Sequence, residues 1–146
     1  MADFAPIKTY GLTHVALPVA DPQASFRFYE RLLGAKLVDR LAGREADDLS
    51  AEDWIEFGIP GAHDVIVLSR AKGEVTGNTG ELEHFGFRLQ SKDDPETLAS
   101  AVEAAGGTVL GSGRFKGGEP FCFARDPDGY EIELWFQDED EWRAES

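Results

Sequence analysis

Hydrophobic and polar positions along this chain change period several times, and the changes come in the same order twice. Residues 12–19, LTHVALPV, alternate in the manner of a half-buried strand. In the next stretch, 21–34, Phe26, Tyr29, Leu32 and Leu33 recur at helical spacing. Asp21 is placed to cap that helix, Pro22 to occupy its first position and Gly34 to end it. A short strand, AKLVD, follows, then a polar loop containing READDLSAED. WIEFG and DVIVLS flank IPGAH and read as a hairpin.

The second half repeats the plan. LEHFGFRL (82–89) is a strand, and DDPETLASAVEAAGG (93–107) is a second helix opened by Asp and Pro and stopped by Gly. TVLGS, a Gly-rich loop GRFKGGE, the strand PFCFA, the turn Asp-Pro-Asp-Gly and the strand YEIELWF complete it. Each half is therefore β-α-β-β-β. At 146 residues the chain has the length of one domain. Module one spans about 11–70, a Gly-rich linker or flap about 71–81, and module two about 82–137. The expected fold is α+β. Two βαβββ modules related by a pseudo-twofold form a cupped, partly open mixed sheet with helices on its outer face.

Superposing the halves brings out the chemistry. L-T-H (12–14) meets L-E-H (82–84), so His14 and His84 are equivalent; V-I-V-L (65–68) meets E-I-E-L (131–134), so Val67 is the counterpart of Glu133. Apolar positions are kept: Ile66 matches Ile132 and Leu68 matches Leu134. Because strand side chains alternate between faces, His14, His84 and Glu133 all fall on faces turned away from the helices. Two imidazoles and a carboxylate converging inside a cup are a site for one divalent ion: Zn(II), Ni(II), Fe(II) or Mn(II). This accounts for a carboxylate in mid-strand. The alternative for the histidines is a structural role satisfied by hydrogen bonds.

Other candidates are less specific. Glu131 shares the Glu133 face near a strand end, where it is either solvated or a further ligand. Arg88 faces the cup, available to a substrate anion or to Glu131. Trp135 and Trp54 read as core or cleft wall, with Trp135 taken as substrate-binding beside Arg88. His63 belongs to the hairpin surface. Cys122, between Phe121 and Phe123, reads as a buried thiol. GSGRFKGGE opens no helix and is a weak phosphate loop.

Composition excludes whole classes. The formal net charge of −14 argues against nucleic acid and anionic membranes as partners. No apolar run approaches the roughly 20 residues of a membrane helix, and the N-terminus lacks a signal-peptide core. A single cysteine excludes an internal disulfide and fits a reducing, cytoplasmic setting. The tail QDEDEWRAES is a solvated terminus.

THVALPV, FYERLLGAKLV, EHFGFRL, EAAGGTV and KGGEPFCFARDPDGYEIEL together resemble the vicinal oxygen chelate superfamily across about residues 11–136. Its members include glyoxalase I, fosfomycin- and bleomycin-resistance proteins and extradiol dioxygenases. The resemblance implies a metal held by His14, His84 and Glu133, vicinal oxygens of a small substrate bound to that metal, and a homodimer. The motifs are nearest to those of glyoxalase I, which has a fourth ligand, a glutamate, where this chain has Val67. Extradiol dioxygenases carry an acid–base histidine and a tyrosine where this chain has Ser69 and Phe123. Fosfomycin-type proteins place a threonine where this chain has Ala16. The expected activity is that of a metal-dependent lyase or isomerase of glyoxalase type, with Glu133 as ligand and as the group that moves a proton. The alternatives are an extradiol-type Fe(II) dioxygenase and a metal-free, bleomycin-resistance-like binding protein.

Overall fold

The structure, a computed structural model, describes residues 5–38 and 54–138. The polar loop with READDLSAED and most of the acidic tail lie outside the described residues. Strand β1 is His14–Val19, helix α1 Pro22–Leu33, β2 Lys36–Leu37, β3 Trp54–Gly58 and β4 Val65–Arg70. Module two runs β5 Phe85–Arg88, α2 Pro95–Ala105, β6 Thr108–Arg114, β7 Pro120–Arg125 and β8 Glu131–Trp135. The α+β plan of paired βαβββ modules is thus realised, with mixed, open sheets.

Helix ends follow the local chemistry. Asp21 accepts from the Gln23 and Ala24 amides at 3.1 and 3.4 Å, and Gly34 closes α1 in the left-handed region at φ 69°. Asp94 stands at the start of α2 without capping it through its side chain; its carboxylate takes Arg114 instead, at 2.9 Å. β6 runs longer than TVLGS, into the Gly-rich segment, because Gly113 and Arg114 pair with Phe121 and Pro120.

The sheets have the same design. Their orders are β1-β4-β3-β2 and β5-β8-β7-β6, each four-stranded, with the first strand parallel to the last and the other pairings antiparallel. The helix-bearing faces of both sheets share one core that includes Leu17, Phe26, Tyr29, Phe57, Leu68, Val102, Ile132 and Leu134. Tyr29 stacks on Phe57 at 5.2 Å and reaches Phe87 of the other module at 6.2 Å. The modules therefore meet through the faces that carry the helices. Their opposite faces are left open.

The Asp-Pro-Asp-Gly turn ties the modules together. Asp126, 4% exposed, accepts the Tyr29 hydroxyl at 2.6 Å and the amides of Asp128 and Tyr130 at 3.0 and 2.9 Å. Asp128 accepts the Ala20 amide at 2.9 Å and the Ser25 hydroxyl at 2.5 Å, and the Tyr130 hydroxyl donates to the Pro18 carbonyl at 2.5 Å. Burial raises the Asp126 carboxyl above its ordinary pKa, although the bonds from Tyr29 and the two amides oppose the shift. Tyr29 is raised well above its own, by burial first and by Asp126 next. Gly77 packs against the backbone of Gly129, so closely that any side chain there would strike it. The expected linker is seated on the turn at that point.

Candidate metal and substrate site

On the open face of module two, register fixes what stands beside what. Gly86, Glu133, Phe123 and Gly111 form one row across β5, β8, β7 and β6; Arg88, Trp135, Phe121 and Gly113 form the next. His84, just before β5, sits over the first strands. Its Nε2 is 3.1 Å from Glu133 Oε2, and its Nδ1 is 3.6 Å from Glu131 Oε2. Glu133 is 9% exposed. A carboxylate that buried needs a cation or donors; among the described residues it meets the His84 imidazole.

The donor set suits a metal. With metal–ligand bonds of about 2.0–2.2 Å, neighbouring donors around one ion lie about 3 Å apart, which is the His84–Glu133 spacing. Imidazole and carboxylate together accept Zn(II), Fe(II), Mn(II) or Ni(II).

His14 is not part of this pair. It sits exposed on the open face of the other sheet, with Nδ1 2.6 Å from the Thr13 hydroxyl. Among the described residues, no three His, Cys, Asp or Glu side chains of one chain come together as a metal site. The reason is the packing: with the helix-bearing faces sharing a core, the two open faces point apart. Val67 lies where the repeat put it, on the face away from the shared core, but it is buried there, 3% exposed, paired with Ala16 on one side and Glu56 on the other.

Around the His84–Glu133 pair stands an aromatic wall. Phe123 meets the His84 ring edge-on at 5.3 Å, Phe121 follows at 5.8 Å from Phe123, and Phe115 covers Phe121 at 4.4 Å and Trp135 at 5.9 Å. A cleft of about 340 Å³ opens here, lined by His84, Gly86, Arg88, Glu133 and Trp135 among others. Arg88 and Trp135, expected to contact substrate, both border it. Trp135 Nε1 is buried with no hydrogen-bond partner among the described residues. His63 is exposed and Cys122 fully buried, as read from their surroundings, with burial raising the thiol pKa.

Two features escaped the sequence reading. One is the aromatic floor, whose signal was the alternation Phe121-Cys122-Phe123 opposite two glycines at alternate positions of β6. The other is Glu56, beside Val67 on the open face and accepting the Trp54 indole N–H at 3.2 Å. Its place becomes visible only when β3 is paired with β4.

The family model for the Glyoxalase/Bleomycin resistance protein/Dioxygenase superfamily matches residues 11–134. The chain belongs to this superfamily. Its similarity to lactoylglutathione lyase of Haemophilus influenzae is 33% identity over 130 residues, covering 84% of this chain and 90% of that one. With lactoylglutathione lyase of Schizosaccharomyces pombe it shares 29% identity over 99% of its length, and it spans 53% of that longer protein. Among solved structures, a fosfomycin resistance protein from Listeria monocytogenes has the same fold, with a TM-score of 0.66 at 18% identity, covering 92% of this chain and 98% of the other.

Proposed function

We propose that this superfamily member is a metal-dependent lyase or isomerase of glyoxalase type. In this reading a divalent ion is held by His84 and Glu133 of one chain and by His14 of a second copy. The observation that carries it is the 3.1 Å approach of His84 Nε2 to the buried Glu133 carboxylate on an open sheet face. The relatives named lactoylglutathione lyase support the class of reaction.

What one chain leaves unfinished supports a second copy. Among the described residues β1 and β5 are edge strands, each paired on one side only. Leu12 and Leu82, at equivalent places two residues before each histidine, are 78% and 57% exposed. Such edges and apolar side chains are usually covered. A twofold pairing that set one chain's module-one face against the other's module-two face would cover them and bring His14 to His84 and Glu133.

When bound, the ion supplies Lewis-acid polarisation of adjacent substrate oxygens. The chain's own groups do the rest. Glu133 is the candidate to take and return a substrate proton, since Val67 has no such capacity. The wall of Phe121, Phe123 and Trp135 excludes water, and Arg88 offers positive charge at the rim. Methylglyoxal–glutathione turnover is expected to be weak, because Val67 stands where glyoxalase I has its fourth ligand.

A mixing experiment tests the site and its sharing. His14→Ala and Glu133→Ala chains should each lose metal binding alone. Co-expressed, they should regain roughly a quarter of wild-type capacity, since half of the dimers are mixed and each holds one intact site. No recovery with either single variant inactive would place all ligands in one chain. Metal-free wild-type protein after loading with Zn(II), Ni(II), Mn(II) or Fe(II) would instead favour a binding protein.

A further inference from the structure

Resting on the metal site proposed above, we infer that Glu131 is a positioning residue: it holds the His84 ring by Nδ1 so that Nε2 is the nitrogen presented beside Glu133. The two carboxylates of β8 flank one imidazole, Glu133 Oε2 at 3.1 Å from Nε2 and Glu131 Oε2 at 3.6 Å from Nδ1. They are two residues apart on one strand, so both point to the open face. Glu131 and His84 are each about one-third exposed, and Glu133 is far more enclosed. That gradient separates their roles: the enclosed carboxylate shares the ion with Nε2, and the outer one accepts the proton that must remain on Nδ1. An imidazole that ligates through one nitrogen carries its proton on the other, and an acceptor for that proton sets both ring orientation and basicity. At 3.6 Å the contact is an ion-pair distance rather than a hydrogen bond, one that a rotation of the part-exposed carboxylate would shorten.

Module one provides an independent instance. His14 occupies the equivalent position, and it too is engaged at Nδ1, by the Thr13 hydroxyl at 2.6 Å. The anchoring groups differ: Thr13 precedes its histidine in the chain, whereas Glu131 reaches His84 from the neighbouring strand. The place equivalent to Glu131 in module one is Val65, which has nothing to offer an imidazole. The nitrogen engaged is the same in both modules. Arg125, the cross-strand partner of Glu131, directs Nη1 to the Gly129 carbonyl at 3.0 Å, beside the turn.

The test compares Zn(II) affinity of wild type, Glu131→Ala, Glu131→Gln and Glu133→Ala in the full-length chain, with the imidazole ¹⁵N spectrum of the Zn-loaded protein. Glu131→Ala should weaken Zn(II) binding roughly 10–100-fold, the usual cost of losing such a partner. Glu131→Gln, which keeps an acceptor oxygen, should stay within about threefold of wild type. In wild type the His84 Nδ1 should appear protonated and protected from exchange, and in Glu131→Ala that protection should disappear while the fold is unchanged. Equal affinities for wild type and Glu131→Ala, or an Nδ1-bound metal at His84, would overturn the inference and leave the metal site standing. Wild type that binds no Zn(II), or Glu133→Ala that binds it unchanged, would overturn the site itself and this inference with it.

Discussion

The open faces of the two modules are built on one backbone plan and carry different chemistry. In module two the face holds His84, Glu131, Glu133 and a floor of aromatic rings; in module one it holds His14, Val65, Val67 and, one strand over, Glu56. The helix-facing positions of the same strands barely differ, with Ile66 and Leu68 against Ile132 and Leu134, all buried. A shared core constrains shape and polarity on one face and leaves the other free to change. The turns differ too. In module one the turn residues Pro60, Gly61, Ala62 and His63 are exposed, whereas Asp-Pro-Asp-Gly in module two is a clasp that enters the core of its neighbour.

The largest expected effect removes what module two has and module one lacks. Glu133→Ala should lower metal affinity by at least about 100-fold, measured by competition with a chelating dye, because the proposed anionic ligand, a buried carboxylate, is lost. Retained stoichiometric binding would place the ion elsewhere. Next in size is the clasp. Asp126→Ala leaves the Tyr29 hydroxyl and two amides without their acceptor in a buried setting, and should cost about 3 kcal/mol in urea unfolding. A loss below about 1 kcal/mol would mean that the turn is not what joins the modules.

Making module one resemble module two should have a smaller, opposite effect. Val67→Glu places a carboxylate on the open face opposite Ala16 and should tighten metal binding about tenfold, a gain of about 1.4 kcal/mol at the bound state. Without metal the same variant should be less stable, since a buried charge is tolerable only beside the cation. Unchanged affinity would show that the module-one face does not border the ion.

The smallest effect is a slope. Asp126 has its carboxyl pKa raised in the folded protein, chiefly by burial. The folded state therefore holds this proton more tightly than the unfolded chain does. Its contribution to stability is greatest below the unfolded pKa of about 4 and is lost as pH rises through the raised folded value. Asp126→Asn cannot titrate, so the stability difference between wild type and variant should shift against wild type as pH is raised from about 4 through that window. Parallel pH profiles from urea unfolding would contradict the assignment.

Much of this is legible in the sequence. Periods of two and 3.6, the Asp-Pro starts and the Gly stops located both helices, with α1 at Pro22–Leu33 between its caps Asp21 and Gly34, and α2 at Pro95–Ala105 inside the wider stretch read as helical. Comparing the halves brought His14, His84 and Glu133 to notice because equivalent positions reveal which face a residue occupies. The aromatic floor and Glu56 were missed for one reason. Their neighbours lie on adjacent strands, and strand register depends on turn geometry and packing across the sheet.

What the sequence by itself determined is therefore local and repeated: the elements, their order, and which side of each strand carries chemistry. Alternation and capping are properties of consecutive residues, and each is satisfied within a few positions of the chain. Only the tertiary structure decided that the modules meet through their helix-bearing faces, that Asp126 and Asp128 clasp the neighbouring module, and that His84 stands with Glu133 while His14 stands apart. Either face of a module could be imagined against its twin. The helix-side residues of both modules pack into one continuous core, and their mutual burial removes that apolar surface from water, which leaves the opposite faces to carry the site.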